Sequence, residues 1–221
     1  MEDVINYLRK VRRGTMFIIE GPSGTGKGTV IKEILARDPH IKFSVSVTTR
    51  PPRKGEVNGV DYYFISDEEY DRLKTEDAFY EYVDSQYGST LRSEVDSFIN
   101  VGEDVLFDLD WMGARQMKEK AGADAVTIYL LPPSIREVRR RLEGRGTDSR
   151  EVIEKRMDLV LEKISHWNEF DYVVVNEELE DTVEKIRRII SGERMKRVRQ
   201  LNGLKTVVDA LVKEAEEMKA E

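Results

Sequence analysis

The stretch "EGPSGTGKGTV" (residues 20–30) indicates the fold of this chain more directly than any other segment. Gly21, Gly26 and Lys27 match the pattern G-x-x-x-x-G-K-[ST]. In that pattern the glycines let backbone N–H groups turn toward phosphate oxygens, and the lysine adds a positive charge at the β- and γ-phosphates. The stretch therefore predicts a site for a nucleoside triphosphate. We define the phosphate loop as residues 21–29 and assign all of it to triphosphate binding: Gly21, Pro22, Ser23, Gly24, Thr25, Gly26, Lys27, Gly28 and Thr29.

The residues on either side of the phosphate loop have the pattern that such a loop requires. "MFIIE" (16–20) is a short apolar run, typical of a strand buried on both faces of a parallel sheet. A helix is predicted from the loop to about Ala36. The order of strand, glycine loop and helix favours phosphate binding over an ordinary strand-to-helix turn.

The alternation of strands and helices continues along the chain and predicts a doubly wound parallel sheet. Further strands are predicted at 42–49, 104–110, 125–131 and 171–176. Helices are predicted near 112–120, 134–142, 152–164 and 178–191, with a leading helix that ends at Gly14. In the helix of residues 152–164 the predicted buried stripe is Val152, Ile153, Met157, Val160, Leu161 and Ile164.

The same sequence patterns divide the chain into a core and smaller parts. Residues 46–100 interrupt the strand–helix alternation, because Pro51, Pro52, Gly55, Gly59 and Gly88 punctuate a stretch rich in Tyr, Arg and Glu. We predict a small mixed α/β insertion there and a lid in the polar segment 143–155. The remaining ranges are a core at 15–45 and 101–192, a helical extension at 1–14, and a helical tail at 193–221 that serves packing or dimerisation.

Composition excludes several classes of function. The chain has 221 residues, a net charge of −7, no cysteine and two histidines. Disulfide frameworks and Cys/His zinc sites are excluded, and the acidic balance argues against a general nucleic-acid binder. No segment has the pattern of a signal peptide or of a membrane span. We therefore expect a cytoplasmic protein with small-molecule ligands and no nucleic-acid or membrane partner.

Two carboxylates close the apolar run "VLFDLDW" (105–111). Asp108 and Asp110 are two residues apart, so on a strand both would point to one face near its carboxyl end. Beside a phosphate loop, this pattern predicts that the pair orients Mg²⁺, directly or through water. The competing interpretation is a strand end that simply becomes polar.

Two arginines in and after the predicted lid are candidates for the transferring phosphoryl group. Arg145 lies in the polar loop "GRGTDSR" (144–150), and Arg156 lies four residues from both Val152 and Val160, within the predicted stripe. A charge in an apolar stripe needs a partner. The alternative is that the guanidinium of Arg156 extends to solvent.

At this point five further blocks resemble one family, the guanylate kinases. They are "SVSVTTRPPRKGEVNGVDYYF" (44–64), "YGST" (87–90), "FDLDWMG" (107–113), "EGRGTDS" (143–149) and "DYVVVN" (171–176). The resemblance covers about residues 16–192. It implies a P-loop α/β fold with core, GMP-binding and lid parts, and transfer of a phosphoryl group from ATP to GMP, and also to dGMP, with Mg²⁺.

The resemblance also implies roles for individual residues. Arginines and tyrosine hydroxyls would hold the GMP phosphate, and carboxylates would accept from N1–H and the amino group of guanine. A site with these hydrogen bonds can reject the wrong base by on the order of 10⁴. The residues implied to bind the GMP phosphate are Arg50, Arg53, Tyr62 and Tyr87, supported by Glu56. Those implied to bind guanine are Ser46, Glu81, Ser89 and Asp110. Asn176 is assigned to the ATP site, and Lys27, Arg145 and Arg156 are assigned to catalysis.

The sequence departs from the family pattern at three places. Gly28 stands where the family has a hydroxyl residue, and Thr29, about 100° further round the helix, cannot replace it. We expect Thr29 to serve the α- and β-phosphates, while phosphates, water and the strand carboxylates hold Mg²⁺. The segment between Glu81 and "YG" is about three residues shorter, which leaves Asp84 as an alternative guanine ligand. Met112 replaces a commoner glutamine.

Two other functions stay open on the sequence alone. "GKGT" is similar to adenylate kinases, although the guanine-complementary insertion argues against AMP as the acceptor. A non-catalytic module that binds phosphopeptides through the same arginines is the second, although Lys27 and both lid arginines are retained. The terminal helices make a homodimer a further possibility.

Overall fold

The computed structural model describes residues 2–82, 88–144 and 150–220, without the side chains of residues 2, 3, 5, 6 and 202. Its centre is a sheet of five parallel strands in the order β2–β7–β1–β8–β9. This arrangement confirms the predicted α/β class with a parallel sheet. The strands are β1 Met16–Glu20, β2 Ile41–Phe43, β7 Asp104–Asp108, β8 Ala125–Leu131 and β9 Tyr172–Val175.

Helices cover both faces of this sheet because the buried side chains of each strand alternate between two apolar layers. Phe17 and Ile19 of β1 pack in the layer of α2 and α8, and Met16 and Ile18 pack in the layer of α4 and α5. The helices are α1 Glu2–Val11, α2 Lys27–Arg37, α3 Asp67–Thr75, α4 Arg92–Ile99, α5 Trp111–Ala121, α6 Ile135–Glu143, α7 Arg150–Ser165, α8 Leu179–Arg194 and α9 Arg197–Ala220.

A second, four-stranded sheet lies in the region of the predicted insertion. Its order is β4–β3–β6–β5, with β3 and β4 parallel and the other pairs antiparallel. Val47, Tyr70 and Phe79 form its small core with α3. The strands are β3 Val47–Thr48, β4 Tyr63–Phe64, β5 Phe79–Tyr82 and β6 Ser89–Leu91.

The prediction of one strand at 42–49 was wrong. β2 ends at Phe43 in the central sheet, and β3 begins at Val47 in the second sheet. The alternation of apolar and polar residues continues through Ser44–Ser46, so the pattern gives no sign that the chain changes sheets there.

The predicted stripe of α7 was wrong at two positions. Ile153 and Val160 are buried, with Met157 and Ile164 packed beside them, whereas Val152 is 39% exposed and Leu161 is 70% exposed. The helix packs on α6 through a narrow seam, so the flanking apolar residues remain outside it. Within the residues that the structure describes, no helix is long and apolar enough to cross a bilayer.

Candidate active site

The phosphate loop connects β1 to α2 and depends on its glycines for its shape. Gly24 and Gly26 have φ angles of +86° and +93°, which side chains other than glycine rarely adopt. A Cβ atom on Gly21 would lie 2.6 Å from the carbonyl oxygen of Leu130. The hydroxyl of Thr25 donates to the carbonyl oxygen of Pro22 and closes the turn.

Two side chains hold the loop from the neighbouring elements. The Asn176 amide donates to the carbonyl oxygen of Thr25 at 2.5 Å, and Arg141 of α6 donates to the same oxygen at 3.0 Å. Asn176 was predicted to bind ATP, and the structure places it against the loop backbone, where it is 4% exposed. Arg141 was not predicted, because its position among the basic residues 139–141 gives no signal that one of them faces the loop.

Lys27 lies between two carboxylates. Its Nζ is 2.6 Å from Oδ1 of Asp108 and 3.1 Å from Oε2 of Glu20. Burial alone lowers the pKa of the Lys27 ammonium, but the attraction of Glu20 and Asp108 exceeds this effect, and the pKa is raised. Lys27 is therefore a fixed positive charge at the amino end of α2.

Glu20 is a residue of this site that the sequence analysis missed. Its side chain is 1% exposed, and its Oε1 has no hydrogen-bond partner, with Nζ of Lys163 at 3.7 Å. An acid that ends an otherwise apolar, buried strand is the signal that could have identified it, because a buried carboxylate requires a cation nearby.

A cavity of about 440 Å³ opens beside the phosphate loop, between the two sheets. Asp108 connects the cavity to the phosphate loop, because its side chain contacts Lys27 and also lines the cavity. Five of the predicted site residues contribute to this wall, and Met112 is also part of it. The lining is Ser46, Tyr62, Glu81, Gly88, Asp108, Leu109, Asp110 and Met112.

Glu81 faces this cavity from β5 and is 3% exposed. The hydroxyl of Thr90 donates to its Oε1 at 2.8 Å. Burial raises the pKa of Glu81 to about 7; the Thr90 hydrogen bond lowers it, and the negative charge of Asp110 raises it further. A hydrogen-bond donor that binds in the cavity would stabilise the ionised form of Glu81 and lower its pKa. Asp84, the alternative guanine ligand, lies outside the described residues.

Asp110 is not part of a strand, so the predicted reason for its orientation was wrong. β7 ends at Asp108, and Asp110 is the N-cap of α5. The Oδ1 atom of Asp110 accepts a hydrogen bond from the backbone N–H of Gly113 at 2.9 Å. Both aspartates nevertheless line the same cavity. In the part of the chain that the structure describes, no cluster of three or more His, Cys, Asp or Glu residues forms a ready metal site.

The predicted phosphate-binding arginines are organised by Glu56. Arg50 makes a bidentate pair with Glu56 at 2.7 Å for both contacts, and the backbone N–H of Arg53 donates to Glu56 at 2.7 Å. The Arg50 hydrogen bonds and the Arg53 N–H lower the pKa of Glu56 to about 2. The guanidinium of Arg50 lies 4.8 Å from the ring centroid of Tyr62, so it is held between an acid and an aromatic face.

Comparison with known proteins adds a decisive observation to this geometry. The model of the family described as guanylate kinase matches residues 13–193. The chain belongs to the guanylate kinase family. That assignment confirms the resemblance drawn from the sequence motifs.

Individual guanylate kinases are similar over most of their length. The guanylate kinase of Zymomonas mobilis is 47% identical over 196 residues, covering 87% of this chain and 90% of that protein. The one of Novosphingobium aromaticivorans is 49% identical over 192 residues, covering 86% of each. The crystal structure of guanylate kinase from Anaplasma phagocytophilum has a TM-score of 0.66 and 34% identity, covering 85% of this chain and 90% of that one.

Four further predicted site residues are either absent from the cavity wall or outside the described residues. Ser89 is fully buried, its hydroxyl bonds to the hydroxyl of Tyr70 at 2.7 Å, and it is not among the residues that line the cavity. Arg156 is half-buried on α7. Tyr87 and Arg145 lie outside the described residues. His166 stacks on the Trp111 ring at 3.9 Å and bonds to Glu169 at 2.7 Å.

Proposed function

We propose that this chain is a guanylate kinase that transfers the γ-phosphoryl group of ATP to GMP, and also to dGMP. The observation that carries the proposal is the position of Asp108, which contacts the phosphate-loop lysine and also lines the cavity that holds Glu81 and Asp110. Donor and acceptor nucleotides bound at these two places would meet at Asp108. A cytoplasmic location remains a prediction.

The cavity has the chemistry that guanine requires. Glu81 and Asp110 present carboxylate oxygens to the N1–H and amino donors of guanine, and the Ser46 hydroxyl can donate to O6. Adenine has an acceptor at N1, so the same carboxylates would face a lone pair. Arg50, Arg53 and Tyr62 would hold the phosphate of the acceptor, with Tyr87 completing the group.

Transfer itself needs position and charge more than proton chemistry, because the acceptor oxygen is already anionic. Lys27 would bind the β- and γ-phosphates, and Arg145 and Arg156 would approach the transferring group from the lid. Such cationic contacts supply about 10³–10⁵ in rate.

The carboxylates beside Lys27 fit the preference of Mg²⁺ for one or two acids combined with substrate phosphates and water. Asp108, whose side chain is 40% exposed, offers oxygens at the edge of the cavity, with Asp110 acting through water. When bound, Mg²⁺ neutralises charge on the triphosphate.

A coupled assay with GMP, dGMP, AMP, CMP and UMP as acceptors tests this function. We expect turnover with GMP and dGMP and at least about 10³-fold lower kcat/KM with AMP. Lys27→Met should lower kcat by about 10²–10³ or more, while Lys32→Met, at an exposed position on the same helix, should not. Three results would contradict the proposal: a preference for AMP, no phosphorylation of any of the five acceptors, or equal activity of the two lysine variants.

A further inference from the structure

Four charged side chains of alternating sign form a row beside the phosphate loop. Nζ of Lys163 lies 3.7 Å from Oε1 of Glu20, and Oε2 of Glu20 lies 3.1 Å from Nζ of Lys27. Nζ of Lys27 in turn lies 2.6 Å from Oδ1 of Asp108. The row therefore connects α7 to the carboxyl end of β7, at the edge of the cavity. We call it the charge row: Lys163, Glu20, Lys27 and Asp108.

Glu20 is the buried member of the charge row. Its side chain is 1% exposed, whereas those of the other three members are between 19% and 40% exposed. Lys27 already has Asp108 as a carboxylate partner, so a second acid is not needed to balance its charge. A buried ion pair adds little to stability on balance, because the desolvation of both charges offsets their attraction. The position of Glu20 therefore favours a role in orienting the two lysines over a role in stability.

The main chain of α7 is held in place at Lys163. The Tyr129 hydroxyl donates to the carbonyl oxygen of Lys163 at 2.6 Å. Tyr129 is fully buried in β8, and it is the register partner of Glu20 where β8 pairs with β1. Both the backbone and the ammonium group of Lys163 are thus fixed relative to the carboxyl end of β1.

Arg156 lies on the same face of α7 as Lys163. The two residues are seven apart, which corresponds to about 20° of rotation and about 10 Å along a helix. The contact of Lys163 with Glu20 therefore sets the direction in which α7 presents Arg156. Through the charge row, one carboxylate relates the cation of the phosphate loop to a cation at the predicted lid.

We propose that Glu20 is a positioning residue for phosphoryl transfer, which orients Lys27 directly and Arg156 through Lys163; the inference rests on the kinase function proposed above. An ammonium group has three N–H donors, so Lys27 can keep Glu20 as a partner while a phosphate oxygen takes another donor. Asp108 can then exchange Lys27 for other partners without leaving the ammonium group unpaired. Misplacement of such groups by about 1 Å can lower a rate by about 10²-fold.

The rates of single and double variants test the coupling, with the acceptor that the wild type phosphorylates. Glu20→Gln keeps the size of the side chain and should lower kcat by about 10–100-fold. Lys163→Met should lower kcat by about 3–10-fold, and the double variant should be no slower than Glu20→Gln, because Lys163 acts through Glu20. Lys163→Arg retains the charge and should restore most of the rate. Lys185→Met, which breaks an exposed pair with Asp181 on α8, is the control and should leave kcat unchanged.

The affinity for ATP tests Glu20 without any acceptor. Burial lowers the pKa of Lys27 while Glu20 and Asp108 raise it, so the loss of Glu20 should lower that pKa. Lys163 also faces this group, beyond Glu20, and its positive charge opposes the protonation of Lys27. In calorimetric titrations, the Kd of Glu20→Gln for ATP should therefore rise at least about 3-fold more than that of the wild type between about pH 7 and about pH 10. Glu119→Gln, at an exposed position, should keep the wild-type profile.

The variants are expected to fold, because in Glu20→Gln the Lys27 ammonium keeps Asp108 and Lys163 is partly exposed to water. Denaturant unfolding checks this, and Lys163→Met tests the row even if Glu20→Gln is unstable. Additive losses of kcat in the double variant, or a profile of Kd for ATP in Glu20→Gln equal to that of Glu119→Gln, would overturn the proposal. If the wild type phosphorylates no acceptor, the kinase function fails, and the ATP profiles alone decide whether Glu20 positions Lys27.

Discussion

At the scale of single residues, the site relies on acids placed where an isolated charge would be costly. Glu20 is buried beside Lys27, and Glu81 is buried beside Thr90. The first acid has a permanent cation next to it. The second accepts hydrogen bonds from the hydroxyl and the backbone N–H of Thr90, and its pKa is still raised by burial, so the protonation of Glu81 connects protein stability and ligand binding.

Glu81 should make stability and GMP affinity change in opposite directions with pH. Its pKa is about 7 in the folded chain against 4.5 ordinarily, so between these values the folded protein holds a proton that the unfolded chain releases. The free energy of unfolding should therefore fall by about 3 kcal/mol as pH rises from about 4.5 to about 7. Over the upper part of that range, GMP should bind more tightly, because guanine donors need the ionised carboxylate.

Denaturant unfolding and KM for GMP, both measured from about pH 5 to about pH 8, check this expectation across the range of the shift. Glu81→Gln should flatten the stability profile and weaken GMP binding at high pH. Glu119→Gln, at an exposed position, should retain both profiles. The second pKa of the GMP phosphate affects all variants equally and cancels in the comparison. Identical profiles for the two variants would exclude the role of Glu81.

The missing hydroxyl at position 28 gives a second prediction at this scale. A Cβ on Gly28 meets nothing within 4 Å, so Gly28→Ser should fold normally. If Asp108, phosphates and water are sufficient for Mg²⁺, kcat and the Mg²⁺ concentration at half-maximal rate should not change. Gly192→Ser on α8, also with open space around its Cβ, controls for the change from glycine to serine in a helix. A large fall in the required Mg²⁺ in Gly28→Ser alone would show that the hydroxyl matters.

At the scale of elements, α6 connects the phosphate loop to α7, the helix that begins within the predicted lid. Val138 and Leu142 of α6 are fully buried and pack on Ile153 and Val160 of α7. The same two side chains approach Gly24, where a Cβ would lie 3.0 Å from Val138 and 3.2 Å from Leu142. A displacement of α7 would therefore reach the phosphate loop through the side chains of α6.

Leu142→Ala should lower the stability of the protein and should also weaken ATP binding, because Leu142 lies beside the phosphate loop. Removing the buried side chain should lower the free energy of unfolding by about 2–5 kcal/mol. It should also raise KM for ATP more than KM for GMP, because the cavity it leaves lies beside Gly24. Ile190→Ala in α8, 2% exposed, should cost similar stability without the change in KM for ATP. Equal effects of both variants on the two KM values would argue against coupling through α6.

The elements also show which information the sequence contained. The phosphate loop and the parallel strands were predictable, because the glycine spacing and the fully apolar runs are local patterns. The end of β2 at Phe43 and the narrow seam of α7 were not, because both depend on which distant surface the chain meets. For the same reason Asp110 was assigned to a strand although it caps α5.

At the scale of the whole molecule, one buried acid joins the terminal parts of the chain to the sheet. Asp104, at the start of β7, accepts from Arg12 at 2.7 and 2.9 Å, from Arg194 at 2.6 Å and from the backbone N–H of Thr15 at 2.8 Å. Arg194 also bonds to Asp38 at 2.7 Å. The segment after α1 and the end of α8 therefore meet at the Asp104 carboxylate, and Arg194 connects the segment after α2 to them through Asp38.

Asp104→Asn should destabilise the whole molecule and leave the chemistry intact. Asp104 is fully buried and Arg12 is 4% exposed, so removing the negative charge leaves the buried guanidinium of Arg12 without its carboxylate, at a cost of about 3–5 kcal/mol in the free energy of unfolding, while Arg194 keeps Asp38. Asp181→Asn, which breaks the exposed pair with Lys185, should cost at most about 0.5 kcal/mol. Because Asp104 lies at the opposite end of β7 from Asp108, kcat for GMP should be unchanged at temperatures where the variant is folded. A loss of less than about 1 kcal/mol in denaturant unfolding would mean that water reaches Arg12 and Arg194 and replaces the carboxylate.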